Sequence, residues 1–345
     1  MTDTSSKTAI DSNKQLTAGN WNLFGNEWAV EMLRQHVAQD AARHAYLFAG
    51  APGIGRRTLA LRFAQALNCT QSDQPGIPCG KCRDCKQIEA MQHPDLTVIQ
   101  ADSQGGTLKV DQVREARRSL TLKPYQSKYR VALFLRFQEA NDNAANALLK
   151  TLEEAPSYAV LILTTDQAED LLPTIASRCE VLRLRTTPLE ILEAFLKQHG
   201  ADDPQARLIS HVSGGRPGYA LRLLQDPSAL TTRAQKLDEL RSLLPASRVD
   251  RFAYGEKLAR DKDGMRSVLL LWLSFWRDVL LRAGGASTPL ANIDRAQEIE
   301  ALAGRVNLSE ARRVVSDLER SLTRLDANVN ARLLAEVLLL DWPKV

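Results

Sequence analysis

His44-Ala45-Tyr46-Leu47-Phe48-Ala49-Gly50-Ala51-Pro52-Gly53-Ile54-Gly55-Arg56-Arg57-Thr58 runs from an apolar strand through a glycine-rich turn into a helix. That helix shows an apolar stripe at Ala60, Phe63, Ala64 and Leu67, the spacing of one buried face. Strand, tight turn and helix N-terminus bring backbone N–H groups and the positive end of the helix dipole to one point, which suits an anion. The spacing Gly50-x4-Gly55 is that of a nucleotide-binding phosphate loop. The next two positions depart from it. Arg56 stands where such a loop has the lysine for the β- and γ-phosphates, and Arg57 where it has the hydroxyl that holds Mg2+. Arginine does not replace a compact ammonium conservatively, and a guanidinium offers no lone pair to a cation. Gly50, Gly53, Gly55 and Arg56 therefore read as a degenerate phosphate loop in which ATP binding is vestigial or lost. A tight turn with no ligand is the plainer alternative for the glycines taken alone.

Outward from the loop, short aliphatic runs at Tyr46–Ala49, Leu96–Ile99, Val131–Leu135, Ala159–Leu163 and Val181–Leu184 alternate with helical runs. The helical runs include Trp28–Val37, Thr58–Leu67, Asp111–Leu120 and Ala144–Glu154. Such alternation predicts a parallel sheet covered on both faces. It stops near Thr186, and Thr187-Pro188-Leu189-Glu190 reads as a helix start with proline at the first helical position and a capping-box Glu, the helix closing at Gly200. Beyond it, Leu237, Leu240 and Leu244, then Val268–Leu281, Ala311–Leu325 and Leu333–Leu340, recur at helical spacing. The expected fold is α/β plus all-α: a disordered leader over 1–19, an α/β domain over 20–186, a small helical lid over 187–228 and a helical oligomerisation domain over 229–345.

The second half of an ATPase site belongs at the end of a buried strand, where acidic residues hold Mg2+ and polarise water. The candidate strand Val131-Ala132-Leu133-Phe134 is followed by Leu135-Arg136-Phe137, with no carboxylate before Glu139. Both halves of the site are defective together, which points to a site inherited from an ATPase and no longer used.

Cys69, Cys79, Cys82 and Cys85 form C-x9-C-x2-C-x2-C. Four thiolates this close can wrap one tetrahedral Zn2+, and Gly76, Pro78 and Gly80 supply the turns. With no nearby His or Glu and no spare coordination position, a structural zinc module over 69–85 is expected. A redox role for Cys79 and Cys82 leaves the other two cysteines without a part.

Composition sets outer limits. The chain has 345 residues, 44% hydrophobic and 25% charged, a profile that supports more than one core. Aromatic residues at 6% lean toward helix-rich architecture. A net charge of +4 permits contact with nucleic acid without arguing for it. Met1–Gln15 is polar with no apolar core of a secretory signal, and Val268–Trp276 spans about half of a bilayer crossing. No membrane association and a cytoplasmic location are expected, where five cysteines suggest metal rather than disulfides.

Asn146-Ala147-Leu148-Leu149-Lys150-Thr151-Leu152-Glu153-Glu154, followed by Ser177-Arg178-Cys179, resembles the clamp-loader branch of the AAA+ ATPases. The resemblance covers Trp21–Leu224 by motif and the remainder by helical pattern. It implies an AAA+ domain with an inserted zinc module, and an arginine finger at Arg178, with Ser177 beside it. Motor subunits of that family (gamma and tau) keep Lys-Thr in the loop and an Asp-Glu after the buried strand, and this chain keeps neither. In Gly214-Gly215-Arg216-Pro217-Gly218, Gly218 stands where motors place a sensor arginine. The resemblance thus implies a non-motor subunit of DNA polymerase III that lends its finger to a neighbouring motor. It also implies gamma/tau and delta subunits as partners, and the sliding clamp and primer–template DNA reached through the complex. An active motor is one rival reading, opposed by Arg56, Arg57, Leu135 and Arg136. A zinc-dependent nucleic-acid-binding protein is another. It would need aromatic residues among the cysteines, and that stretch carries only Lys81, Arg83 and Lys86.

Overall fold

Five strands, β1 (Ala45–Ala49), β2 (Leu96–Ile99), β3 (Arg130–Phe134), β4 (Ala159–Thr165) and β5 (Glu180–Arg183), lie parallel in the order β2-β3-β4-β1-β5. Side chains along β1 alternate between the faces. Tyr46 and Phe48 pack on one side with Trp21 and Phe63, while Leu47 and Ala49 join the core on the other. Among the described residues six helices accompany the sheet: α1 (Glu27–Ala38), α2 (Arg56–Asn68), α3 (Arg83–Glu89), α4 (Val110–Thr121), α5 (Asp142–Glu153) and α6 (Pro173–Ala176). Leu59, Phe63 and Leu67 of α2 belong to the first core, and Val113 and Leu120 of α4 with Leu148 and Leu152 of α5 to the second. Both faces of the sheet are thereby buried, as near-continuous apolar strands require.

The computed structural model describes residues 21–103, 105–327 and 329–344, and the leader expected over 1–19 lies outside them. The chain divides into two units. One runs to Thr187 and includes the short segment Arg216–Gly218, and the other comprises Pro188–Gly215 and the chain from Tyr219.

The second unit is helical: α7 (Leu189–Gln198), α8 (Asp203–Ser213), α9 (Pro217–Gln225, whose first two residues belong to the segment grouped with the first unit), α10 (Pro227–Leu243), α11 (Arg248–Leu258), α12 (Lys262–Ala283), α13 (Ala296–Ala303), α14 (Leu308–Asp326) and α15 (Ala331–Leu340). Its core is built on α12, whose Met265, Leu269, Trp272, Trp276 and Val279 are fully buried against α14, α13 and α10. Trp272 and Trp276 both meet Trp342 edge to face, at 5.0 and 6.2 Å between ring centroids. Burying side chains of this size contributes about 2–3 kcal/mol each. Among the described residues no helix is long and apolar enough to cross a membrane.

The start of α7 differs from the expected one. Pro188 is the N-cap residue rather than the first helical one, and no side chain caps the helix. The Thr187 hydroxyl is buried without a hydrogen-bond partner. It faces Gly25, where an added Cβ would fall 2.5 Å away.

Candidate functional site

The glycine loop leaves β1 between β4 and β5, where successive connections part to opposite sides of the sheet. Open parallel sheets gather their ligands at such a switch point. Gly50, Gly53 and Gly55 all have positive φ (156°, 85° and 110°), so the loop has the backbone that its glycines predict. Gly50 N–H donates to the Thr165 carbonyl at 3.2 Å, which sets the end of β4 directly beside the loop. From the other side the loop is met by main chain. A Cβ added at Gly218 would fall 2.9 Å from the Gly53 carbonyl oxygen.

The two arginines that follow take different directions. Arg57 is exposed and sends Nη2 to Met91 Sδ at 3.3 Å. Arg56 is 9% exposed and lies 2.6 Å from Asp166, the residue just after β4. At the end of β3, Leu135 is buried and Arg136 adopts a left-handed backbone, its N–H donating to Thr164 Oγ1 at 2.9 Å. Glu139 is engaged locally, its Oε1 accepting from Arg136 Nε at 2.8 Å and from Gly105 N at 2.9 Å.

Ser177, Arg178 and Cys179 join α6 to β5. The Ser177 hydroxyl donates to the Thr174 carbonyl at 3.2 Å. The Cys179 thiol faces inward, and burial pushes it up to about 12. Between these anchors Arg178 keeps a 37% exposed side chain. Its Nη1 donates to the Thr174 carbonyl at 3.0 Å and its Nη2 to Glu153 Oε1 at 2.7 Å. β5 is an edge strand and Glu180 pairs with Tyr46. Arg178 therefore sits beyond the start of β1, with the glycine loop beyond its end. At the rise of a strand, that separation is roughly 20 Å.

The four cysteines come together. Their Sγ atoms lie within 4.8 Å of one another, and Cys79 and Cys85 are 4.0 Å apart. A tetrahedron with bonds of about 2.3 Å has sulfur–sulfur edges of about 3.8 Å, so the cluster fits a zinc-sized ion with little adjustment. Backbone N–H groups of Lys81 and Cys82 donate to Cys79 Sγ at 3.4 and 3.3 Å, and Cys85 N–H to Cys82 Sγ at 3.4 Å. Burial pushes the Cys79 thiol up, but the N–H donors of Cys82 and Lys81, with the Cys69 and Cys82 side chains, outweigh it and bring it down to about 6. Burial raises Cys69 and Cys85. The arrangement can hold a metal ion through thiolates, with Cys82 doubling as the N-cap of α3.

A polar network ties this module to the sheet. Asp84, between two of the cysteines, accepts from Thr70 Oγ1 at 2.8 Å and from Gln126 Nε2 at 3.0 Å. His93 accepts the Asp95 N–H on Nδ1 at 3.0 Å, so in its neutral form Nε2 carries the proton, 3.3 Å from Asp84. Asp95, fully buried, accepts from the N–H groups of Tyr125, Gln126 and Ser127 at 2.7, 2.9 and 3.1 Å. On the far side, Trp21 Nε1 donates to the Gly76 carbonyl at 3.1 Å. Sequence reasoning found the four cysteines but neither His93 nor Asp95, which have no spacing relation to them.

A glycine loop at the switch point of a five-stranded parallel sheet, with four cysteines gathered from the end of α2 into α3, is the arrangement that the resemblance to clamp-loader AAA+ subunits implies. A family described as "DNA polymerase III, delta subunit" matches residues 25–188, and one described as "DNA polymerase III, delta subunit, C terminal" matches 227–344. The chain is 31% identical over 322 residues to the DNA polymerase III subunit delta' of Pseudomonas aeruginosa, covering 91% of this chain and 96% of that protein. To the subunit delta' of Bacillus subtilis it is 28% identical over 315 residues, covering 90% and 94%. The chain belongs to the DNA polymerase III delta-prime family. A tau/gamma subunit of Haemophilus influenzae is 34% identical over 178 residues, 52% of this chain but only 25% of that protein. Among solved structures, a gamma subunit-related protein of Thermotoga maritima aligns over 90% of this chain and 97% of its own, with a TM-score of 0.49 and 17% identity.

Proposed function

We propose that this chain is a non-motor clamp-loader subunit that hydrolyses no ATP itself and supplies Arg178 in trans to a neighbouring motor subunit. The observation that carries the reading is the place of Arg178: exposed, at the edge strand, and a strand's length from its own glycine loop. An arginine there is out of reach of a phosphate in its own loop, yet open to one held by an adjacent subunit. A finger in trans stabilises charge on the transferred phosphoryl group and is worth on the order of 10³–10⁵ in rate. Ser177 and Cys179 fix the turn that presents it.

The loss of motor chemistry in this chain is supported by the end of β3, where Leu135 and Arg136 stand in place of metal-holding carboxylates. Arg57, turned outward, offers no oxygen to Mg2+. In this reading Cys69, Cys79, Cys82 and Cys85 hold a structural Zn2+. Residues 187–228 serve as a lid and 229–345 as the collar that assembles beside gamma/tau and delta subunits, and the complex loads the sliding clamp on primed DNA. The direct test is ATP turnover by the purified chain with Mg2+, expected at background. Turnover sensitive to Arg56→Ala would reverse the reading in favour of a working motor.

A further inference from the structure

Arg56 and Arg57 open α2, and its first turn contains no acidic residue. Two cations thus sit at the positive end of a 13-residue helix, where a negative charge is favoured and a positive one opposed. Arg57 escapes to solvent. Arg56 does not: its side chain is 10% exposed, and its Nη1 is buried with no hydrogen-bond partner. A guanidinium taken from water in this way needs neutral acceptors for its N–H groups or an anion close by, and Arg56 Nη1 has no such acceptor. In phosphate loops the bound nucleotide is that anion. Here Asp166, set beside Gly50 by the pairing of β1 with β4, brings a carboxylate oxygen to 2.6 Å from Arg56 Nη2, an ion pair in which that oxygen accepts no hydrogen bond.

We infer that Asp166 is an internal anion for the glycine loop, an autoinhibitory contact that holds Arg56 and keeps polyphosphate out by repulsion. The loop keeps its anion-attracting backbone, and what closes it is a carboxylate of the same chain. This rests on the reading of the chain as a non-hydrolysing subunit and adds how nucleotide is excluded. Catalysis stays lost when the carboxylate goes, because the groups that hold Mg2+ are still missing. Binding of a polyphosphate anion without Mg2+ is the property that returns.

The test uses the full chain and sodium pyrophosphate as probe, against sodium chloride of equal ionic strength, with thermal unfolding and calorimetric titration as readouts. Wild type should show no titration and no change in Tm. Asp166→Asn should unfold at lower temperature in chloride, and saturating pyrophosphate should raise its Tm by roughly 2–4 °C. Asp166→Ser, which places no amide donor against the guanidinium, gives a second reading of the same effect. Adding Arg56→Gln to either variant should abolish the response. No response in either single variant, an equal response in wild type, or a response that survives Arg56→Gln would each overturn the inference. None of these outcomes depends on turnover, so ATP hydrolysis by wild type would refute the functional reading separately.

Discussion

Arg178 Nη2 donates to Glu153 Oε1 across 2.7 Å, so the two sequence motifs that mark the family meet at one corner of the sheet. Glu153 ends α5, and Arg178 follows α6. The Thr174 carbonyl takes a second N–H of the same guanidinium, leaving the group oriented while its outer edge faces solvent.

Glu153 is accordingly a positioning residue for the proposed finger. Glu153→Gln should cost the subunit less than about 1 kcal/mol, since both partners are exposed. In a reconstituted loader the neighbouring motor's kcat should fall several-fold while its KM for ATP holds. DNA-stimulated ATPase across an ATP series separates the two constants. An unchanged kcat would reduce the contact to a surface ion pair.

Cys82 is both a candidate metal ligand and the N-cap of α3. Zinc measured by elemental analysis, after purification without chelator, should be one per chain in wild type and much less in Cys82→Ser. Because metal binding and local folding are coupled, the variant should lose several degrees in Tm. Zinc retained in full by Cys82→Ser would remove Cys82 from the ligand set.

Arg251 is 1% exposed and, among the described residues, donates to five carbonyls: Leu243, Leu244, Leu339, Trp342 and Pro343. It closes the C-terminal ends of α10 and α15 at once. Arg251→Met should destabilise the helical unit by about 3 kcal/mol or more, because several buried acceptors lose their donors together. Urea denaturation followed by tryptophan fluorescence reads Trp272, Trp276 and Trp342 of this unit together with Trp21 and Trp28 of the other, so the comparison is with wild type under the same conditions. A change under about 1 kcal/mol would mean that water replaces the guanidinium.

Asp95 gives the sheet domain an acid-sensitive lock. Burial raises its carboxyl, but the N–H groups of Gln126, Tyr125 and Ser127, and then the Arg130 charge, outweigh this and hold it below the usual carboxylate range. A depressed folded-state value stabilises above the unfolded-state value and is lost as pH falls through the folded one. The advantage of wild type over Asp95→Asn should therefore be constant from neutrality down to about pH 4 and shrink below it. Urea midpoints across pH for both proteins check this, and a gap that stays constant below pH 4 would contradict it.

The strands were legible because five aliphatic runs alternate with amphipathic helices, and each lies within a residue or two of its expected place. The cysteine module was legible from spacing alone. The short helices α11 and α13 were not singled out, since few of their residues are buried. Arg251 is invisible in a sequence because carbonyl acceptors carry no residue identity. Asp166 and Glu153 matter through strand order and loop geometry, and neither the order β2-β3-β4-β1-β5 nor the turn after α6 can be read from composition or periodicity. Gly218 approaches the Gly53 carbonyl so closely that a side chain there would force the backbone to shift, a contact that the sequence does not announce.

The most direct measurement is made on a reconstituted loader in which only this subunit carries Arg178→Ala, reading DNA-stimulated ATPase and clamp loading together. The exposed side chain contributes little to its own domain, so the variant should fold, keep its metal and enter the complex. ATPase should fall in part, through the one motor site that it faces, and loading should fall further. Wild-type values for both in a fully assembled complex would contradict a finger acting in trans.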